Sequence, residues 1–137
     1  MVLLTGAVLM YDVYGLGLRP VSTEASSLLT QTGMASWYGV EEQGRLTADG
    51  EHFDRHKMTA AHRKLPFNTV IRVTNRENGK SVEVRVNDRG PYAKNRVLDL
   101  SEAAAKALDM KTAGVTPVKI EVIEQSAPPL APGSTLP

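Results

Sequence analysis

Two short runs of alternating side chains, joined through Asn78-Gly79, constrain this chain more than any other feature. Thr69–Asn75 (TVIRVTN) is rich in β-branched residues. Ser81–Asn87 (SVEVRVN) puts Val82, Val84 and Val86 on one face and Glu83 and Arg85 on the other. A period of two belongs to a strand with one buried face, and Asn-Gly between two such runs predicts a tight hairpin. Val118, Ile120 and Val122 alternate with Lys119 and Glu121 as a third strand; Gly33–Tyr38 and Arg96–Leu100 read as shorter ones. One helix is expected after Ser101, a good N-cap, with Glu102 in the first turn and the helix formers Ala103–Leu108 behind it. There is no internal repeat and no β-α-β rhythm. These signals predict a mainly β fold: a mostly antiparallel barrel of about six short strands with one or two small helices. Closure removes the unpaired edges that so small a sheet would otherwise expose.

Charge divides the 137 residues into three segments. Residues 1–32 hold only Asp12, Arg19 and Glu24 as charged side chains, residues 33–125 hold 15 basic and 13 acidic ones, and residues 126–137 hold none. The apolar start MVLLTGAVLM is too short to span a bilayer, which takes ~20 helical residues, and it lacks the basic stretch of a secretory signal. Residues 1–32 therefore read as an N-terminal arm or a degenerate signal and linker, 33–125 as the folded domain, and 126–137 as a Pro-rich tail. With no cysteine, disulfide scaffolds, Cys-ligated zinc and thiol catalysis are excluded for this chain. A net charge of +1 gives no electrostatic reason to expect a nucleic-acid partner, and aromatics at 5% are too few for a base-stacking platform.

Three places could carry chemistry. In Val86-Asn87-Asp88-Arg89-Gly90-Pro91, continuing the alternation puts Asp88 on the parity of the core valines. Such an acid is either satisfied by backbone N–H groups of the next turn or desolvated into a proton donor. The run Thr47–Asp54, with His56 and Thr59-Ala60-Ala61-His62 after it, collects Glu51, Asp54 and His62 in loop-like sequence. His52 and His56 have the i, i+4 spacing of a helical metal pair but lack the usual motif around it, so no metal is expected. Asp99 lies between Leu98 and Leu100, directly before the helix, either as a carboxylate near its N-terminus or as a second inward-facing acid. Trp37-Tyr38 could stack on a sugar or fill the core. Several carboxylates around a cleft suit glycosidic chemistry, which needs an acid for the leaving oxygen. The residues alone lead to a candidate carbohydrate-active site.

The ordered blocks Met34–Gly39, Thr47–Asp54, Thr59–His62, Leu65-Pro66, Val73–Asn75, Asn78–Val82, Val86–Pro91 and Leu98–Ser101 resemble the rare lipoprotein A (RlpA-like) family. The resemblance covers about residues 33–124. It implies a six-stranded double-psi β-barrel and an endolytic lytic transglycosylase of the bacterial cell envelope. Such an enzyme cleaves the bond from N-acetylmuramic acid to N-acetylglucosamine in peptidoglycan strands stripped of stem peptides and leaves a 1,6-anhydro end, without cofactor or metal. Carried over by position, it points to Asp88, Glu51, His62 and Asp54 as catalytic, Asp88 being the first choice for the acid and Glu51 the second. It implies Trp37, Tyr38, Arg89 and Asp99 for substrate binding. The expected partner is the glycan strand, with no nucleic acid, no integral membrane span and a monomeric protein. A non-catalytic, expansin-like wall-binding module is the alternative. Two departures stand out. There is no lipid-anchoring cysteine, so an anchor is not expected. Leu108-Asp109-Met110 also stands where the family often has Leu-Gly-Met, which forfeits a glycine helix end.

Overall fold

The computed structural model describes residues 30–125; the expectations for most of the N-terminal arm and for the Pro-rich tail lie outside them. Six strands run in chain order: β1 (Thr30–Tyr38), β2 (Thr59–Ala61), β3 (Val70–Asn75), β4 (Ser81–Asp88), β5 (Arg96–Ser101) and β6 (Thr116–Glu124). A 3-10 turn, Val40–Glu42, follows β1, and helix α1 (Glu102–Ala107) follows β5. The strands close a barrel in the order β1-β5-β2-β4-β3-β6.

The hairpin forms as expected. β3 and β4 pair antiparallel from Val70↔Arg85 to Thr74↔Ser81, and Gly79 in the connection has φ of +77°, open to glycine without strain. Alternate residues fill the barrel: Ile71, Val73, Val84, Val86, Leu98, Leu100, Val118 and Ile120 are all buried. Ser101 caps α1 as predicted, its Oγ accepting from Ala104 N at 3.3 Å. α1 presses Ala104, Ala105 and Leu108 onto this core.

Four of the six pairings are antiparallel, but β1·β5 and β2·β4 are parallel. These two crossed parallel pairs make the barrel a double-psi one rather than a meander. β1 also begins at Thr30, three residues before the expected Gly33, because Thr30–Thr32 pair with Lys119–Glu121 of β6. The sixth strand, unlocated in the sequence, is Thr59-Ala60-Ala61. All three residues are buried, so they show no polar alternation.

One departure decides where the site lies. β2 and β4 pair Ala60 with Val86 but Ala61 with Asp88, so Asn87 is an extra residue in β4. Such a bulge breaks the two-residue period. Asn87 turns into the interior at 3% exposure, and Asp88 leaves the face of Val82, Val84 and Val86 to emerge half-buried beside a groove.

Candidate active site

The groove has a volume of about 400 Å³ and is built where strand ends and loops meet. The end of β1 contributes Ser36, Trp37 and Tyr38; the end of β4 contributes Asp88 and Arg89; β5 contributes Arg96 and Asp99. The long connection from the 3-10 turn to β2 closes the other side with Glu42, Arg45, Leu46 and Thr47.

Asp88 is held by one oxygen only. Its Oδ1 accepts from Ala48 N at 2.9 Å and from Arg89 N at 2.8 Å. Oδ2 has no hydrogen-bond partner among the described residues. Asp88 is thus satisfied by backbone N–H groups at Oδ1, the first of its two expected states, and is half-buried rather than desolvated; the two donors fix the carboxylate plane without using the second oxygen. Arg89 is anchored in turn: its guanidinium donates to the carbonyls of Leu65 (2.8 Å) and His62 (3.2 Å) and lies 3.9 Å from the centre of the Phe67 ring.

Asp99 faces the same groove from β5. It neither caps α1 nor points into the core. Its register partner Ser36 donates to it, and Arg96 donates to Ser36 Oγ at 2.6 Å while lying 3.9 Å from Asp99 Oδ1. Asp99 is thus committed to neighbours on two strands, whereas Asp88 keeps an oxygen free of hydrogen-bond partners among the described residues.

Tyr38 sits among these acids. Its ring packs on Phe53 at 4.6 Å between centroids. Its hydroxyl is buried and completes no hydrogen bond with a described residue. Burial, then the nearby charges of Asp88, Asp99 and Glu42, and last a polar approach to the Asp88 carboxylate that falls short of a full hydrogen bond, push the phenol well above its usual range. Tyr38 can therefore donate a proton in a hydrogen bond but does not serve as a base. Trp37 lines the groove half-buried, beside the core rather than within it.

The other three sequence candidates stand behind the groove rather than in its lining. Glu51 is gripped by Arg85, whose Nη1 and Nη2 donate to its two oxygens at 2.6 and 2.8 Å. That fork, helped by Asp49, pulls its carboxyl down to about 2. His62 is buried. Its Nδ1 accepts from Lys64 N and Leu65 N, both at 3.0 Å, so Nε2 carries the proton and donates to Gln31 Oε1 at 2.9 Å. Burial, with Arg89, Arg63 and Lys64 nearby, lowers its pKa to about 4, and the ring is neutral at physiological pH. Asp54 accepts from His56 N at 3.0 Å, an Asx-turn.

The loop Thr47–Glu51 links these residues to Asp88. Thr47 N donates to Glu51 O at 2.7 Å, Glu51 N to Asp49 Oδ1 at 3.0 Å, and Asp49 N to Asn87 O at 3.3 Å. With Glu51 anchored on β4 through Arg85, Ala48 N is aimed at Asp88. Arg85, Ser36, Arg96 and Ala48 escaped the sequence reading. Arg85 alternates like any outward strand residue, and a backbone donor leaves no residue-type signal. Ser36 and Arg96 acquire meaning only from the parallel β1·β5 register.

The comparisons agree with this architecture. Residues 30–120 match the family model described as lytic transglycolase. The chain is 51% identical over 120 residues to the endolytic peptidoglycan transglycosylase RlpA of Neisseria meningitidis serogroup A, covering 86% of this chain and 49% of that protein. It is 50% identical over 94 residues to the protein of the same name from Campylobacter jejuni, covering 69% of this chain and 34% of that one. The chain therefore spans half or less of the length of these relatives. Among solved structures, the apo expansin of Clavibacter michiganensis superposes with a TM-score of 0.57 at 27% identity, covering 73% of this chain and 53% of that one. The matched region holds the groove and all of the barrel except the last residues of β6, and this chain belongs to the lytic transglycolase family.

Proposed function

We propose that the chain is the catalytic barrel of an endolytic peptidoglycan transglycosylase acting on glycan strands in the bacterial cell envelope. The observation that carries this reading is Asp88: one oxygen pinned by two backbone N–H groups, the other without a hydrogen-bond partner among the described residues, in a groove shared with Asp99 and Tyr38.

In the proposed reaction Asp88 donates its proton to the glycosidic oxygen between N-acetylmuramic acid and N-acetylglucosamine. The C1–O bond breaks, and the leaving N-acetylglucosamine takes that proton as its new hydroxyl. The C6 hydroxyl of the same muramic residue closes on C1, and the Asp88 carboxylate takes its proton. The acid is regenerated, no water is consumed, and the product ends in a 1,6-anhydro ring. The attack is intramolecular, so positioning contributes most of the advantage, which suits a carboxylate held rigidly by one edge. Asp99, with Ser36 and Arg96, would bind sugar hydroxyls or stabilise the developing positive charge, and Tyr38 would donate to the substrate.

Glu51, His62 and Asp54 enter as positioning residues. A carboxylate locked on Arg85 is a poor proton donor, and a buried imidazole with both nitrogens engaged has none to spare. Glu51 holds loop 47–51, which reaches Asp88 through Ala48, His62 holds the Lys64-Leu65 turn, whose Leu65 carbonyl anchors Arg89, and Asp54 holds its own Asx-turn. A preference for strands without stem peptides belongs to this reading as what the resemblance to the family implies.

The test is incubation with peptidoglycan pre-treated with an amidase, followed by mass spectrometry. Fragments lighter by one water than the hydrolytic products support the reading. Reducing ends would assign hydrolysis instead, and retention on the polymer without any product would favour an expansin-like binding module.

A further inference from the structure

Gln31 stands outside the groove lining and outside the proposed chemistry, yet it touches the one buried imidazole among the described residues. It lies near the start of β1, where register with Ile120 of β6 fixes the backbone. Alternation puts Gln31 on the face of Gly33 and Ala35. At Gly33 a Cβ would lie 2.7 Å from Val97 Cγ1, so β5 closes directly on the bare backbone next along that face. Gln31 itself is half-buried, and its Oε1 accepts from His62 Nε2 at 2.9 Å.

Which nitrogen of an imidazole carries the proton is set by what the other one meets. His62 Nδ1 faces two backbone donors, Lys64 N and Leu65 N, both at 3.0 Å. It must be bare to accept from them, and Gln31 supplies the acceptor for the proton on Nε2. Glutamine does so without a charge. A carboxylate in its place would favour the imidazolium, in which Nδ1 also carries a proton and the two amides lose their acceptor. Burial, and then Arg89 from the end of β4 and Arg63 and Lys64 from the turn after β2, oppose that second proton in the wild type. From His62 the contacts run on to the acid. His62 N donates to Asp88 O at 3.1 Å. The Leu65 and His62 carbonyls receive the Arg89 guanidinium, and Arg89 N is one of the two donors on Asp88 Oδ1.

We propose that Gln31 is a positioning residue for Asp88: by holding His62 in one neutral tautomer it keeps the Lys64-Leu65 turn, the Arg89 anchor and, through them, the Asp88 carboxylate in place. That Asp88 is the acid rests on the transglycosylase reading; the chain of contacts from Gln31 to Asp88 does not. Because neither Gln31 nor His62 lines the groove, the role acts on kcat rather than on KM.

The experiment compares the full chain with Gln31→Glu, Gln31→Met and Thr32→Glu. The last puts the same charge on the exposed, opposite face of β1 and is the control. NMR titration gives the His62 midpoint, and release of anhydro fragments from amidase-treated peptidoglycan gives kcat and KM across the acid and neutral range. In Gln31→Glu the midpoint should rise by about one to three units, the effect of an opposite charge in contact. The acid limb of kcat should rise with it while KM holds. Above the new midpoint kcat should return to near the wild-type value, which a loss of packing would not allow. Gln31→Met keeps the bulk and removes the acceptor, and its kcat should fall about tenfold, the share of one hydrogen bond. The control should match the wild type. A midpoint that stays in place in Gln31→Glu overturns the proposal. So does a midpoint that rises without the acid limb, or a wild-type kcat in Gln31→Met. If the wild type releases no product, the reaction at Asp88 is wrong, and hydrogen exchange at the Arg89 amide decides the positioning role. Protection lost in Gln31→Glu below its His62 midpoint, and kept in Thr32→Glu, supports it; protection kept in both overturns it. If Gln31→Met does not fold, Gln31→Glu decides by the same readings.

Discussion

Arg85 holds Glu51 through both terminal nitrogens, at 2.6 and 2.8 Å, and lies 3.6 Å from Asp49 Oδ2. The fork ties the loop carrying Ala48 to strand β4, which carries Asp88. The orientation of the groove acid is therefore set from behind, by an ion pair that lies outside the groove lining.

Glu51→Gln is expected to loosen that loop. The wild-type carboxyl, brought from 4.5 to about 2, contributes stability that is present above its unfolded value and is lost as pH falls toward 2. The variant should show a shallower acid-side loss in urea titrations between pH 7 and pH 3. Because the pair is more than a third exposed on the Glu51 side, the deficit at neutral pH should stay below about 1 kcal/mol. Activity is more sensitive: kcat should fall by about ten- to a hundredfold as Ala48 loses its aim, with KM little changed. Glu51→Asp should restore part of it.

His62 is neutral where Glu51 is charged, and its pKa shifts in the same direction. Its pKa is lowered from 6.5 to about 4, so between those values the unfolded chain binds a proton that the folded chain does not. Its contribution is complete above pH 6.5 and is withdrawn as pH falls to 4. An NMR titration should place the His62 midpoint near 4. His62→Gln should flatten the stability profile across that window.

Tyr38→Phe separates stability from function. The hydroxyl is buried beside Asp88 and completes no full hydrogen bond with a described residue, so removing it costs little and relieves an under-satisfied polar group. The melting temperature should hold or rise slightly. If the hydroxyl donates to substrate, kcat/KM should fall by about tenfold, the share of one hydrogen bond. A variant that loses stability and keeps full activity would assign Tyr38 to packing alone.

Asp109 adopts φ of +54° directly after α1, the left-handed position for which glycine is suited. Asp109→Gly should stabilise the barrel by about 0.5 kcal/mol. The Lys80 partner lost with it, at 3.7 Å and well exposed, contributes little. Thermal unfolding checks this, and a lower melting temperature would mean that the carboxylate matters more than the backbone.

Much of this fold is legible in the sequence. The hairpin, β6, the Ser101 cap and the glycine-less end of α1 follow from period, turn chemistry and residue type, which are local. What escaped is non-local or falls between periods. The strand Thr59–Ala61 is too short and too fully buried to alternate, and the parallel pairing of β1 with β5 is a property of closure. The same holds in the groove. Asp88 was legible as a candidate because of its place before Gly90-Pro91, but its face was not, since the bulge at Asn87 depends on the register between β2 and β4. Glu51 and His62 stood out by residue type; their partners Arg85 and Gln31 lie 34 and 31 residues away.

The central claim is that Asp88 moves the proton. Asp88→Asn keeps an oxygen for Ala48 N and Arg89 N and removes the acid, so it should fold like the wild type. Mass spectrometry of its products from amidase-treated peptidoglycan is the direct measurement. The account predicts release of 1,6-anhydro fragments by the wild type and a fall of at least about a hundredfold in Asp88→Asn, the scale of a lost general acid. Undiminished release of anhydro fragments by Asp88→Asn would contradict it.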